Sequence, residues 1–185
     1  MKPDDRFEPT EITPGVVVPV HRCRSEFVGV ARADRAYRLI AVRRIAVGAR
    51  LFGIEGEKTQ QPTRYSLQIG ESLHLDLGCG RSAEEVFDGY YWRFINHSCD
   101  PNTLVRCQEV IASRDIEPWA DITFNYNTTE YDMAEPFGCH CGSPRCLGTI
   151  KGFKHLAQEE RERLRPSLAP YLSRLIRSGV EPEPV

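Results

Sequence analysis

The chain has 185 residues, of which 41% are hydrophobic and 27% charged, and this composition is typical of one globular domain with its own core. Its 24 Lys and Arg against 26 Asp and Glu give a net charge of −2, which argues against a general attraction to nucleic acid. No apolar run approaches the roughly 20 residues that span a bilayer, and the N-terminus lacks the apolar core of a signal peptide. We therefore expect a cytoplasmic, reducing compartment and no membrane partner.

Short runs rich in β-branched and aliphatic residues predict strands through the first part of the chain, after an extended lead-in over residues 1–15. Pro19 suits an edge strand, because proline donates no N–H to a neighbouring strand. Two alternating segments on either side of Gly70 predict a β-hairpin. The predicted strands and hairpin arms cover residues 16–20, 27–30, 38–42, 50–54, 64–69 and 72–77.

The second part of the chain adds helices at two places. Ser82 and Glu85 have the spacing of a capping box and predict a short helix within residues 82–93. Leucines at helical spacing over residues 155–178 predict two short helices, divided by Pro166 and Pro170 and ended by Gly179. Further strands are predicted over residues 103–107, 109–113 and 122–126.

The stretch Arg-Phe-Ile-Asn-His-Ser-Cys over residues 93–99 places an amide, an imidazole and a thiol within four positions, and Asp-Pro-Asn follows as a turn. An isolated Asn-His pair in a turn usually makes only local hydrogen bonds. Here the pair is followed by Ile-Thr-Phe-Asn-Tyr over residues 122–126 and by three close cysteines over residues 139–146. The order of the three motifs therefore carries more information than any one of them.

The seven cysteines are an odd number without a secretion signal, which argues against a disulfide framework. Cys139, Cys141 and Cys146 stand close enough to wrap one ion, and a structural zinc takes four soft ligands at about 2.3 Å in a closed tetrahedron. Cys99 is the natural fourth ligand. His97 and Cys107 are the alternatives, whereas His140 is expected to point away. The cysteines without close neighbours are predicted to be small buried apolar residues: Cys23, Cys79 and Cys107.

Such a zinc site would fasten the C-terminal part of the chain onto the turn that holds Asn96 and His97. The ligand of that turn would then be covered by the tail. We therefore expect loss of the zinc to weaken binding at the turn as well.

Taken together, the three motifs resemble those of the SET-domain protein lysine methyltransferases, and the cysteine cluster resembles their post-SET zinc segment. The resemblance spans about residues 36–153. It implies a mainly β fold of short curled sheets, with a threaded, pseudoknot-like C-terminal segment, a zinc-clipped tail and C-terminal helices. The expected domains are an N-terminal extension over residues 1–30, a SET domain over 31–130, a post-SET segment over 131–153 and a helical tail over 154–185.

The resemblance also implies roles for individual residues in binding S-adenosylmethionine and transferring its methyl group. Tyr126 matches the tyrosine at the transfer centre, and Phe124 with Tyr65 matches channel residues that influence how many methyls are added. The cofactor contacts implied by the family are Arg93, Phe94, Asn96, His97 and Leu147, together with Ala36, Tyr37 and Arg38, where the family has Gly-x-Gly. A second departure is Asn125, which stands where the family usually has aspartate.

The implied reaction is attack by a neutral lysine amine on a sulfonium methyl. A lysine with an ordinary pKa near 10.4 is almost all ammonium at neutral pH, and an apolar channel lowers that pKa. The Tyr126 hydroxyl can orient the amine, so no metal is needed at the reacting centre and the zinc is structural. Phe124 lacks the hydroxyl that would hold a partly methylated amine, which favours di- or trimethylation.

Two other kinds of function remain open on the sequence. A binding module could keep the fold and the zinc but lose turnover, and the Ala36–Arg38 departure favours this reading. A zinc-stapled nucleic-acid binder is disfavoured, because residues 115–144 carry six acids and no Lys or Arg. Three of these acids lie in the loop 127–136, so the expected partner is a protein or peptide with a lysine in a basic context, and no direct nucleic acid.

Overall fold

The computed structural model describes residues 6–33 and 36–179. Its first four strands form an antiparallel sheet in sequential order: β1 (Glu8–Thr13), β2 (Val16–Arg22), β3 (Val28–Ala33) and β4 (Ala36–Ala41). The extended lead-in predicted over residues 1–15 therefore contains the strand β1. The prediction that residues 16–20 form an edge strand is wrong, because β1 occupies the edge and β2 is internal. Pro19 of β2 lies opposite Pro9 of β1, so two residues that lack an N–H face each other.

Two three-stranded antiparallel sheets follow. One contains β6 (Glu57–Thr59), β7 (Leu67–Gly70) and β8 (Leu73–Asp76), with β8 in the centre, and confirms the hairpin around Gly70. The other contains β5 (Arg50–Gly53), β10 (Thr103–Arg106) and β11 (Glu109–Ala112), with β11 in the centre.

The tight turn between β10 and β11 corrects one cysteine prediction. Cys107 and Gln108 both have positive φ, 50° and 63°, which suits a two-residue hairpin turn of the mirror-image type. Cys107 and Cys79 are both exposed, so the prediction that they are buried is wrong for both, whereas Cys23 is buried as predicted.

Three further pieces of sheet bring the motifs together. The strand β9 (Asn96–His97) pairs in parallel with β12 (Thr123–Phe124). An antiparallel pair, β13 (Phe137–Gly138) and β14 (Thr149–Ile150), flanks the cysteine loop. The predicted strand 122–126 is too long, because Asn125 caps a 3-10 helix that begins at Tyr126 and its side chain accepts from the N–H of Asn127.

The helices follow their predicted signals. The capping box of Ser82 and Glu85 starts α1 (Ala83–Gly89), and a 3-10 helix over Tyr91–Phe94 leads directly into the Asn-His motif. Near the C-terminus lie α2 (Gln158–Leu164) and α3 (Pro170–Ser178), separated by a 3-10 helix over Arg165–Ser167. Gly179 ends α3 in the left-handed conformation, with φ of 68°. No helix in the described part of the chain is long and apolar enough to cross a membrane.

The main core lies between the sheets, and its central side chains are aliphatic and fully buried: Val28, Val30, Leu39, Ile45, Val110 and Ile122. A second cluster joins Phe153 to α2 and α3 through Leu164, Tyr171 and Leu172. The backbone N–H of Ala169 donates to the carbonyl of Thr128 at 2.8 Å, so the helical tail packs behind the turn that follows Tyr126. The structure is mainly β with short sheets and few helices, as predicted, while the threading of the C-terminal segment stays a prediction.

Candidate active site

A cavity of about 660 Å³ lies where β9, β12 and the loop before β13 meet. This volume is in the range of sites that hold small molecules or cofactors. Of the residues singled out in the sequence, it is lined by Tyr65, Arg93, Asn96, His97, Phe124 and Tyr126, together with Cys139 and Cys141 of the cysteine cluster.

The parallel pairing of β9 with β12 aligns the Asn-His motif with the tyrosine motif. Asn96 lies opposite Thr123 and His97 opposite Phe124, and the N–H of Ser98 donates to the carbonyl of Phe124 at 3.1 Å. Two motifs that are far apart in sequence therefore meet in one wall of the cavity.

His97 connects the tyrosine motif to the cysteines. Its Nδ1 accepts a hydrogen bond from the backbone N–H of Tyr126 at 3.1 Å. Burial lowers the pKa of His97 to about 4, so the ring is neutral near pH 7 and its proton is on Nε2. That Nε2 lies 3.3 Å from the sulfur of Cys99 and can donate to it.

Tyr126 is held rigidly by its hydroxyl and by its ring. The hydroxyl donates to the carbonyl of Ile95 at 2.7 Å, and the ring centroid lies 4.8 Å from that of Phe124 and 5.9 Å from that of Phe137. Burial, and secondly the charge of Glu130, raises the pKa of Tyr126, so the phenol stays protonated. Its oxygen keeps lone pairs that can accept from an amine.

The other side of the cavity carries Arg93 and Tyr65. The Arg93 guanidinium is 2.6 Å from the carboxylate of Asp76 and lies 4.8 Å from the centroid of the Tyr65 ring. Tyr65 is half exposed. This pair forms a polar and aromatic wall at the cavity's mouth.

The four cysteines proposed as zinc ligands come together. The sulfur atoms of Cys99, Cys139, Cys141 and Cys146 all lie within 4.8 Å of one another. A tetrahedron with zinc–sulfur bonds of about 2.3 Å places its sulfurs roughly 3.8 Å apart, so this set fits one structural zinc. The alternatives are not in the group, since Cys107 lies in the exposed β10–β11 turn and His97 contacts a sulfur instead.

Backbone N–H groups lie close to the sulfur atoms of this cluster and favour the thiolate form, which binds a metal cation. The N–H of Cys99 lies 3.5 Å from the sulfur of Cys141, and the N–H of Leu147 lies 3.5 Å from the sulfur of Cys99. Burial opposes ionisation of Cys141, but the N–H groups of Cys99 and Ser143 and the neighbouring thiols outweigh it and lower its pKa to about 6. Burial raises the pKa of Cys99 to about 11, a value for the thiols without their metal.

Five residues implied as cofactor contacts lie outside the lining of this cavity: Ala36, Tyr37, Arg38, Phe94 and Leu147. The rings of Tyr37 and Phe94 are 5.4 Å apart, and both pack against Phe87 of α1. Arg38 pairs with Asp121 at 3.0 Å. Their role as cofactor contacts stays a prediction.

The three acids of the loop 127–136, expected from the sequence to attract a basic substrate, differ in their surroundings. Glu130 is buried in the cavity wall, and Asp132 pairs with Lys154 at 2.7 Å and His155 at 2.8 Å. Of the three acids, Glu135 is the exposed one on the cavity, with Arg64 at 4.0 Å. The sequence shows no periodic pattern in this loop, so nothing in it indicated that Glu130 is buried.

The comparisons with known proteins agree with this geometry. Residues 39–127 match the family model described as SET domain. The methyltransferase flvH of Aspergillus flavus is 44% identical over 94 residues, which are 49% of this chain and 47% of that protein. The H3 lysine-36 specific histone-lysine N-methyltransferase of Gibberella zeae is 32% identical over 117 residues, covering 55% of this chain and 13% of that protein.

A solved structure supports the fold. The crystal structure of KRYPTONITE in complex with mCHG DNA and SAH superposes with a TM-score of 0.50 at 21% identity, over 64% of this chain and 27% of that chain. The present chain spans less than half the length of either curated relative. The family match nevertheless contains both Asn-His and Tyr126, the two motifs that the β9–β12 pairing joins. A segment of just under half of the chain, residues 39–127, therefore matches the SET domain.

Proposed function

We propose that this chain transfers methyl groups from S-adenosylmethionine to the side-chain amine of a lysine in a protein. The observation that carries the proposal is the hydrogen bond from the N–H of Tyr126 to His97, which joins the two SET motifs at one cavity. The relatives named as methyltransferases support the reaction class.

Residues in the cavity wall fit the cofactor. Asn96 is exposed to the cavity, and its side chain has no hydrogen-bond partner within residues 6–33 and 36–179. Neutral His97 and the Arg93 guanidinium add a ring face and a positive charge. When bound, S-adenosylmethionine supplies a methyl group on a positively charged sulfur, and the nitrogen–carbon bond forms as the carbon–sulfur bond breaks.

The residues of the protein would favour the neutral form of the lysine amine and orient it for the reaction. Phe124 and the Tyr126 ring disfavour the ammonium form, because burial in apolar surroundings lowers the pKa of an amine. The Tyr126 hydroxyl, fixed on the carbonyl of Ile95, presents its lone pairs to the N–H groups of the amine. Holding the reacting atoms in line supplies much of the rate.

The zinc would have a structural role. Cys99 belongs to the turn after β9, whereas Cys139, Cys141 and Cys146 belong to the loop between β13 and β14. One ion held by all four would lock that loop against the Asn-His turn, so the cavity wall and the metal site would form together.

The substrate's sequence context is a finer part of the proposal. Glu135 on the cavity wall favours a lysine with neighbouring Lys or Arg, although Arg64 opposite it weakens the negative potential. We expect a basic-flanked peptide to be methylated faster than an acidic-flanked one, with a difference that shrinks above about 0.1 M salt. Equal rates for both peptides at low salt would remove this part of the proposal. The cytoplasmic location stays a prediction.

One observation favours the alternative of a binding module without turnover. Tyr37 and Phe94, implied as cofactor contacts, pack against α1 rather than lining the cavity. Tight binding of S-adenosylhomocysteine by a protein that transfers no methyl group would support that alternative.

The deciding experiment is incubation with isotopically labelled S-adenosylmethionine and a panel of peptides and proteins. Histone H3 belongs in the panel, since some relatives are named for it. Mass spectrometry then locates and counts the methyl groups. We expect label on a lysine amine with the wild-type protein and loss of label with Tyr126→Phe; label on no lysine in the panel would contradict the proposal.

A further inference from the structure

Glu130 is a buried carboxyl in the wall of the same cavity, and the reaction described above does not use it. Its backbone is fixed on both sides: its N–H donates to the carbonyl of Tyr126 at 2.8 Å, and its carbonyl accepts from the N–H of Phe153 at 2.8 Å. The side chain is therefore held beside the catalytic turn by main-chain bonds that a substitution of the carboxyl would leave in place.

The two carboxyl oxygens of Glu130 differ. Oε1 accepts from the backbone N–H of Gln68 at 2.9 Å and lies 3.3 Å from the hydroxyl of Thr129. Oε2 has no hydrogen-bond partner among the residues that the structure describes. One oxygen thus anchors the group, and the other is free to meet a ligand in the cavity.

No lysine, arginine or histidine in residues 6–33 and 36–179 lies within ion-pair distance of Glu130. A buried carboxylate without a cation is costly, and burial raises the pKa of Glu130 to about 7. The titratable groups that face it are Tyr126 and Tyr171, both of which feel its charge. The remaining charged or titratable side chains of the cavity are Arg64, Tyr65, Arg93, His97, Glu135, Cys139, His140 and Cys141.

An arriving lysine side chain would supply the missing cation. We propose that Glu130 is the catalytic base of this site, receiving the substrate ammonium and taking one proton from it before methyl transfer. The inference rests on the proposed function, because it assumes that a lysine enters this cavity. Tyr126 then orients the amine, and Glu130 sets its protonation state.

The proton and electron pairs balance in this step. The Glu130 carboxylate and the lysine ammonium become a carboxylic acid and a neutral amine, with the proton on Oε2 and Oε1 still on the Gln68 N–H. The freed lone pair of the nitrogen forms the new bond to the methyl carbon, and the sulfur keeps the pair of the bond that breaks. The methylated product is again an ammonium, so each further methyl requires another proton transfer to Glu130, which must first release its proton to water at the cavity's mouth.

The first experiment needs no activity. In protein labelled with ¹³C at glutamate carboxyls and saturated with S-adenosylhomocysteine, the Glu130 resonance is assigned by its loss in Glu130→Gln. Its pKa is then measured with and without n-butylammonium, which mimics a lysine side chain, and with 1-butanol as the uncharged control. We expect n-butylammonium to lower the pKa of the Glu130 carboxyl by at least one pH unit, and 1-butanol to leave it unchanged. No effect of n-butylammonium would overturn the inference.

The second experiment measures methyl transfer against pH on the lysine substrate found by labelling. Glu130→Gln keeps an oxygen for the Gln68 N–H but cannot take a proton, and we expect kcat at pH 7.5 to fall by about 10²-fold or more. The difference in kcat between the variant and the wild type should become smaller towards pH 10, because the amine then loses its proton to the solvent. The affinity for S-adenosylhomocysteine should stay unchanged. Glu84→Gln makes the same chemical change on the exposed face of α1 and serves as the matched control.

The outcomes separate the two proposals. A Glu130→Gln variant with the wild-type rate and pH profile would overturn the role of the base while leaving the proposed function intact. If the wild-type protein methylates no lysine, the proposed function fails, and the carboxyl titration still decides whether Glu130 receives an ammonium.

Discussion

His97 shows how much of the site depends on a single side chain. One nitrogen accepts from the backbone of Tyr126, and the other faces the sulfur of Cys99. Its backbone also belongs to the strand that pairs with Phe124. The position of the turn that carries Tyr126 and the position of Cys99, a proposed zinc ligand, are therefore coupled through one imidazole ring.

Replacing Tyr126 by Phe removes only the hydroxyl bonded to the carbonyl of Ile95. We expect methyl transfer to fall by about 10²- to 10⁴-fold, because the amine loses its orienting partner, while stability falls by only about 1 kcal/mol. Tyr90→Phe makes the same change outside the cavity, at the C-terminal end of α1, and should keep most activity. Single-turnover rates and urea midpoints measure both effects; normal turnover by Tyr126→Phe would show that the transfer centre is misassigned.

Phe124 is the residue expected to set the number of methyl groups. Its buried ring lies 4.8 Å from the ring of Tyr126. We expect wild-type protein to give di- or trimethyllysine and Phe124→Tyr to shift the product towards monomethyllysine, because the added hydroxyl fixes a partly methylated amine. Mass spectra at long reaction times test this, and identical product distributions for the two proteins would refute it.

The raised pKa of Glu130 also predicts how stability depends on pH. Below about pH 4.5 the carboxyl is protonated in both states, whereas between about 4.5 and 7 the unfolded chain ionises and the folded protein keeps its proton. Stability is therefore lost as pH rises through this window, by an amount on the order of 3 kcal/mol, and this contribution is constant above it.

Glu130→Gln should remove that component of the pH dependence, so the variant gains stability relative to wild type between pH 5 and pH 8. Urea denaturation at the two pH values measures the difference, and other ionisable groups cancel because both proteins share them. Parallel pH dependences for the two proteins would show that the buried carboxyl has an ordinary pKa.

At the scale of elements, the proposed zinc would stabilise the β13–β14 pair and its cysteine loop. This pair has only two residues in each strand, Phe137–Gly138 and Thr149–Ile150, so little besides the metal would hold the loop between them. Cys146→Ser should prevent the binding of one zinc ion per chain. It should also lower the affinity for S-adenosylhomocysteine, because residues of this loop line the cavity.

Cys107→Ser is the matched control for that variant, since Cys107 lies in the exposed β10–β11 turn outside the group. We expect it to retain one zinc per chain. Elemental analysis gives the stoichiometry, calorimetry gives the affinity, and hydrogen exchange over residues 137–150 reports the loosening. A full zinc content in Cys146→Ser would disprove the ligand assignment.

Local signals predicted those elements that local chemistry determines. Ser82 and Glu85 predicted α1, and Pro170 with Gly179 bounded α3, because caps and breakers act within a few residues. The need of a tetrahedral zinc site for a fourth ligand, rather than spacing, predicted the meeting of Cys99 with the later cysteines. In contrast, no local pattern distinguishes buried Glu130 from its exposed neighbours, and the packing of Tyr37 on Phe87 joins segments far apart in the chain.

At the scale of the whole molecule, the helical tail supports the site from behind. Tyr171 of α3 bonds to the carbonyl of Thr129, and the N–H of Gly152, just before the tail, donates to the Asn127 side chain at 3.1 Å. The sequence suggested only packing for this tail. The structure shows that its packing partner is the turn that carries Tyr126.

Leu172 is fully buried in this tail and tests that support. We expect Leu172→Ala to cost about 2–5 kcal/mol of unfolding free energy and to speed amide exchange in residues 126–130, because the cavity it leaves loosens the tail. Val47→Ala, at a side chain that is 61% exposed, should change stability by less than about 0.5 kcal/mol. Urea denaturation and hydrogen exchange measure both variants. Unaltered exchange over residues 126–130 in Leu172→Ala would show that the packing of the tail does not stabilise the turn after Tyr126.

The bonds from Gly152, Ala169 and Tyr171 to the turn after Tyr126 also determine when the site is complete during synthesis. A ribosome releases the Asn-His and tyrosine motifs first, the zinc loop next and the supporting helices last. A chain cut between residues 155 and 169 would still carry every motif of the site, yet its catalytic turn would lack the support of α3. A gene fragment that encodes all of these motifs can therefore still lack the helix that supports the turn after Tyr126.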